Sequence, residues 1–135
     1  MILAQISDTH IKPGGRLAYG RVDTVAALKD CVAALNRLTP RPDAVVATGD
    51  LTDAGSAGEF ALLAELLAPL AMPLYLLPGN HDTRDGLRRG FPAHGYLPRE
   101  GRLDYRVPLG GLDLICLDSL EEGQPHGRLA DESLA

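Results

Sequence analysis

The sequence predicts an α/β fold, a βαβαβ unit followed by a β-hairpin, and three observations carry that expectation. Apolar runs at residues 2–6, 44–47 and 74–77 have the length and composition of buried parallel strands. Two stretches with helical spacing of apolar residues separate them. A Gly110-Gly111 pair then divides two alternating segments, the signature of an antiparallel hairpin. Strands that alternate with helices close by right-handed crossovers into a parallel sheet.

Taken in order, the first strand runs straight from the N-terminal Met1-Ile2-Leu3 and gives way to a Lys12-Pro13-Gly14-Gly15 loop. Asp23 is the expected N-cap of a helix reaching about Leu38, with Leu28, Val32 and Leu35 on one face. Pro40 and Pro42 stop it, and Pro42-Asp43 leads into the second strand. Ser56 or Gly58 opens the second helix, which carries Phe60, Leu63, Leu66 and Leu67 and ends at Pro69. Met72-Pro73 introduces the third strand. From Arg84 to Arg102 the pattern fades into a short helix and a Gly/Pro-rich loop. Residues 103–109 and 112–118 are the expected hairpin strands, and Leu129 to Leu134 reads as a helix beginning.

A chain of 135 residues, 45% of them hydrophobic, suffices for one domain with a real core. Cys31 and Cys116 sit among apolar neighbours with no CxxC spacing, so they are expected to be reduced core thiols rather than a disulfide or a metal site. No basic leader precedes an apolar stretch, and none is long enough to span a membrane, so a cytoplasmic location without membrane association is expected. A net charge of −5 disfavours non-specific binding to nucleic-acid polymers.

The chemistry is concentrated at three strand ends. Asp8-Thr9-His10 follows the first strand, Gly49-Asp50 the second and Gly79-Asn80-His81-Asp82 the third. In an open α/β sheet the carboxyl ends of parallel strands are where ligands bind. Asp8 and His10, at i and i+2, are expected to point to one side of an extended chain and to chelate one ion. Gly49 lets the backbone turn sharply and brings Asp50 up to the same edge. Asn80 adds a neutral amide oxygen. Carboxylate, imidazole and amide donors suit Mn, Fe, Zn or Co, and the cluster has no thiolate. Asp82 is expected to orient His81 or to cap the following turn, with the structural role favoured, and His94, in a loop, to face solvent.

Asp8-x-His10, Gly49-Asp50 and Gly79-Asn80-His81-Asp82 together resemble the successive signature blocks of the calcineurin-like metallophosphoesterases. Tyr19-Gly20 with Asp23, the run Arg41-Pro42-Asp43-Ala44-Val45-Val46, Pro73-Leu74-Tyr75-Leu76, Leu117-Asp118-Ser119 and Gly127-Arg128-Leu129 are similar to bacterial class III cyclic-nucleotide phosphodiesterases and glycerophosphodiesterases. The resemblance implies a four-layer α/β/β/α sandwich, of which residues 1–135 would be the truncated N-terminal part of a single domain. It implies two divalent ions: Asp8 and His10 on the first, Asp50 bridging, Asn80 on the second, with a hydroxide between them. His81 would face the phosphate or leaving group as the catalytic and substrate-binding histidine, and His126 stands in a loop that passes near substrate in relatives. A later-strand His and a Gly-His-x-His turn are also implied, and neither occurs in these residues. The expected function is hydrolysis of 3′,5′-cyclic nucleotides or small glycerophosphodiesters, with homo-oligomerisation left open and this chain poorly active by itself. The alternative is a non-catalytic protein-interaction module of the same fold, which has no physical reason to crowd acids together.

Overall fold

The computed structural model describes residues 1–134, in the order β1 (Leu3–Ile6), α1 (Thr24–Arg37), β2 (Ala44–Thr48), α2 (Ala57–Leu67), β3 (Leu74–Leu77), α3 (Arg84–Gly90), β4 (Tyr105–Leu109) and β5 (Leu112–Cys116). β1, β2 and β3 form a parallel sheet in that order, with Leu3 opposite Ala44 and Val45 opposite Leu74. β4 and β5 pair antiparallel as a separate two-stranded sheet around Gly110-Gly111. This is the α/β arrangement the sequence predicts. The C-terminal helix expected from Leu129 is instead a single 3-10 turn, Asp131–Leu134.

The helices start where their caps stand. The Asp23 carboxylate accepts from Ala26 N at 2.9 Å. Ser56 and Glu59 form a reciprocal capping box, so the second helix opens at Ala57. Glu59 is almost wholly buried, yet its carboxylate accepts from both Ala54 N and Ser56 N at 3.0 Å, which satisfies it. No helix among the described residues is long and apolar enough to cross a membrane.

The core lies between one face of the parallel sheet and the helices. Val45, Ala47, Leu74 and Leu76 share that face with the less buried Ala4 and Ile6, and pack against Leu28 and Val32 of α1 and Phe60, Leu63, Leu66 and Leu67 of α2. α3 comes close to α2 because two glycines face Phe60: a Cβ at Gly90 would stand 3.1 Å from Phe60 Cβ, and one at Gly86 would enter the ring. The second helix therefore fixes the third, whose first residue follows the Gly79–Thr83 turn at the end of β3.

Candidate metal centre

Beyond Ile6 and Thr48 the β1 and β2 chains keep pairing as they turn. Asp8 N donates to Gly49 O at 3.1 Å, His10 N to Asp50 O at 3.0 Å and Ile11 N to Leu51 O at 3.1 Å. Inside this zipped pair, Asp8, His10 and Asp50 have φ of 55°, 38° and 49°, the left-handed region that L-residues other than glycine avoid. The expectation that Asp8 and His10 converge as i and i+2 residues of an extended chain is thus corrected. They converge because each caps a left-handed turn, and Asp is among the few residues that tolerate one.

Two glycines hold this edge together. Gly49, at φ 91°, approaches so closely that a Cβ would lie 2.9 Å from Gly79 Cα. A Cβ on Gly79 would collide with the Asp50 backbone N and its carboxylate. Only glycines let the β2 and β3 turns touch, and that contact delivers the third motif to the first two.

Asp82 is the rivet: its carboxylate neither orients the His81 ring nor caps the turn that follows, which Thr83 caps, but ties the β2 and β3 turns together. Its buried carboxylate accepts from Leu51 N (3.1 Å), Thr52 N (2.9 Å), Thr52 Oγ1 (2.7 Å) and Gly79 N (2.9 Å). Four donors from two turns on one carboxylate account for its burial at 3% exposure without a cation beside it.

At this edge one donor atom each from Asp8, His10 and Asp50 lies within 4.8 Å of the others, a spacing a single cation can gather. A second set at the same spacing is His10, Asp53 and His81. Asp53 was not foreseen, although it stands only three residues past Asp50. Its carboxylate is ion-paired to the Lys12 ammonium, which lowers its pKa by that hydrogen bond and charge. Since Lys12 already neutralises Asp53, the Asp8–His10–Asp50 set, two carboxylates with no ammonium or guanidinium paired to them among the described residues, is the better seat for a divalent ion.

His81 is exposed beside this set, its ring edge-on to His10 with centroids 4.7 Å apart. Its backbone N–H donates to Asp50 Oδ1 at 3.1 Å, and its Nδ1 lies 2.6 Å from Asp53 O. A carbonyl only accepts, so Nδ1 carries a hydrogen and Nε2 is left as the nitrogen that can take up or release a proton. Asn80 is exposed on the same turn and lines a recess of about 220 Å³ with Thr48, Ser119, Pro125 and His126. His126, itself exposed, thus shares the lining of this recess with Asn80.

His94 does not face solvent as expected. It is half-buried, its Nδ1 lies 3.0 Å from Tyr96 Oη, and burial lowers its pKa. Its ring packs edge-on against Phe91 and Tyr96, with centroids 5.3 and 5.4 Å away. Of the two cysteines expected in the core, Cys116 is buried and Cys31 is only half-buried, lining a crevice of about 300 Å³ beside Asp8.

A parallel sheet that presents acids and imidazoles in left-handed turns at its carboxyl edge is an arrangement that could gather a divalent ion. Residues 1–129 match the calcineurin-like phosphoesterase family, and the chain belongs to it. It is 40% identical over 134 residues to a probable glycerophosphodiester phosphodiesterase of Arcobacter nitrofigilis, covering 99% of this chain and 49% of that protein. It is 36% identical to a cAMP/cGMP dual specificity phosphodiesterase of Mycobacterium tuberculosis (98% and 42% covered) and 34% identical to a 3′,5′-cyclic adenosine monophosphate phosphodiesterase of Pseudomonas aeruginosa (99% and 47%). The chain spans about half the length of the curated relatives it matches. Its parallel sheet, three helices and hairpin are consistent with the N-terminal half of a metallophosphoesterase domain.

Proposed function

We propose that these residues form part of a metal-dependent phosphodiester hydrolase, acting on 3′,5′-cyclic nucleotides or small glycerophosphodiesters in the cytoplasm. The observation that carries this reading is the convergence of Asp8, His10 and Asp50 at one sheet edge with His81 beside them. Asp8 and His10 would hold one divalent ion, Asn80 a second, and Asp50 would reach both. Bound there, such ions supply positive charge that neutralises a phosphoryl group and lowers the pKa of a bound water.

The chain's own groups do the rest. Asp82 and the Gly49–Gly79 contact fix the positions of the ligand turns before anything binds, so little reorganisation accompanies charge development. The Asp53 carbonyl keeps the His81 hydrogen on Nδ1, so in its protonated form the ring offers Nε2–H to the departing alkoxide. Asn80 and His126 line one small polar recess, which suits a hydroxylated ester substituent.

The test is titration of Mn²⁺ into the protein by calorimetry, followed by hydrolysis of bis(p-nitrophenyl) phosphate, cAMP and a glycerophosphodiester with and without chelator. Mn²⁺ binding and chelator-sensitive turnover of at least one diester are expected, with low turnover from the 135-residue chain because a single imidazole serves the carboxylate set. Turnover indifferent to excess chelator, or no Mn²⁺ binding at all, would overturn the reading.

A further inference from the structure

The segment from Asp118 to Arg128 forms one wall of the Asn80 recess, and its placement depends on a buried ion pair, Arg84–Asp118, that lies outside the Asp8–His10–Asp50 set. Arg84, the first residue of α3, sends Nε and Nη2 to the Asp118 carboxylate at 2.6 and 3.0 Å, and Nη2 also donates to Leu120 O at 2.5 Å. Its backbone N–H donates to Glu122 at 3.2 Å. Asp118 is fully buried and also accepts from Leu103 N (2.7 Å) and Leu120 N (2.9 Å). Burial opposes the Arg84 charge and Asp118 favours it, and the balance leaves the guanidinium pKa above its ordinary value. From the other side, Arg102 Nη1 donates to Asp118 O (3.0 Å) and Leu120 O (3.3 Å), and its Nη2 to Glu121 (3.0 Å).

The loop is closed on itself as well. Arg128 N donates to Ser119 O at 2.7 Å, Leu120 bridges Gly127, and a Cβ at Gly127 would stand 2.8 Å from Ser119 O. The tip, Gln124-Pro125-His126, therefore moves with Ser119, and Ser119 is held beside Asp118. Arg84 in turn stands four residues after Asn80 on the turn that Asp82 rivets to β2.

We propose that Arg84 is a positioning residue for the substrate side of the site: its fork to Asp118 and Leu120 sets Ser119 and His126 against Asn80. This rests on the reading of the site as a phosphodiesterase. A lysine would keep the charge for Asp118 and lose both the second hydrogen bond to it and the one to Leu120. The wall should then loosen while the Asp8–His10–Asp50 set, held by separate bonds, stays as it is.

The experiment compares the protein with its Arg84→Lys variant in three measurements: Mn²⁺ affinity, affinity of the Mn²⁺-loaded protein for inorganic phosphate, and diester KM and kcat. Mn²⁺ affinity is expected to hold, while phosphate Kd and KM rise roughly fivefold, the scale of one hydrogen bond, at little changed kcat. Amide exchange should quicken at Leu120 and Arg128 and stay constant at Ile11 and Thr52. Arg84→Ala leaves Asp118 buried without a counter-charge and is used with added guanidinium, which should restore part of the phosphate affinity. Unchanged phosphate Kd and KM in Arg84→Lys would overturn the proposal, as would a parallel loss of Mn²⁺ affinity, which marks a purely structural role. If the unmodified protein neither binds Mn²⁺ nor hydrolyses a diester, the underlying reading fails instead, and that result is distinct from a failure of Arg84.

Discussion

The carboxyl edge of the parallel sheet and the outer edge of β3 solve opposite problems. At the carboxyl edge three residues, Asp8, His10 and Asp50, adopt left-handed backbone and crowd two acids against an imidazole. Along the outer side of β3, Leu74 O and both the N–H and the carbonyl of Leu76 are met by tyrosines. Tyr96 Oη accepts from Leu76 N at 3.1 Å and donates to Leu74 O at 3.0 Å, while Tyr105 Oη donates to Leu76 O at 2.9 Å. The rings of Tyr75, Tyr96 and Tyr105 follow one another at 5.2 and 4.7 Å, with His94 against Tyr96 at 5.4 Å. An unpaired strand edge is thereby closed by side chains. Free energy is stored at the first edge and recovered at the second, the division expected where one region serves binding and the other stability.

The largest effect should come from breaking the first region's ligand set. Asp50→Ala removes a carboxylate 3.9 Å from His10 and the acceptor of His81 N, and Mn²⁺ affinity measured by calorimetry should fall by about 100-fold or more. Next is Tyr96→Phe, which keeps the ring and deletes the hydroxyl. It strands Leu76 N, Leu74 O and His94 Nδ1, and unfolding in urea should show a loss of roughly 2 kcal/mol, with Mn²⁺ affinity intact. If Tyr96→Phe weakens Mn²⁺ binding as much as Asp50→Ala does, the two regions are not separable and the comparison falls.

How much of this was legible in the sequence follows the range of the interactions. β1, β2, β3 and the first two helices appear within a residue or two of their predicted bounds, because periodicity, Asp23, Ser56 and the prolines act locally. The Ser56-x-x-Glu59 spacing held the information to choose Ser56 over Gly58. The strand-end motifs named the residues that the structure brings together, yet not the left-handed turns that do it, since no glycine marks Asp8 or His10. Arg84 and Asp118 are 34 residues apart and Tyr96 lies 20 from Leu76, so neither contact leaves a local trace. His94 was misjudged for the same reason: a Gly/Pro-rich segment reads as surface until its tyrosine finds a sheet edge.

The β3 seam should also set the pH range of stability. Burial holds His94 neutral below its usual pKa near 6.5. The unfolded chain therefore takes up a proton first, and stability present above pH 6.5 is lost as pH falls through the folded value. Burial holds the Tyr96 and Tyr105 hydroxyls protonated above their usual 10, so their contribution is present below pH 10 and is lost as pH rises beyond it. Urea midpoints from pH 5 to 11 should form a plateau between these limits. In Tyr96→Phe the alkaline fall should shrink, and in His94→Gln the acid one. A wild-type profile that stays flat below 6.5 would show that His94 is not held neutral by the fold.

The smallest expected effect is the most direct probe of stored strain. Asp8 is exposed, has φ of 55°, and among the described residues its carboxylate is hydrogen-bonded only by the neighbouring Ser7 hydroxyl. Asp8→Gly removes the steric cost of left-handed backbone and one of two crowded acids, at the expense of extra freedom in the unfolded chain. Relief is worth up to about 1–2 kcal/mol and the entropic loss roughly 0.5–1 kcal/mol, so the metal-free protein should be stabilised by about 0.5 kcal/mol while Mn²⁺ affinity drops. Asp8→Ala, which keeps the strain and deletes the same carboxylate, should bind Mn²⁺ as poorly and gain no backbone relief. The difference in urea midpoint between these two variants isolates the backbone term from the charge term. Equal stability of the glycine and alanine variants would mean that the left-handed turn at Asp8 stores nothing, and the contrast between the two edges would then rest on charge crowding alone.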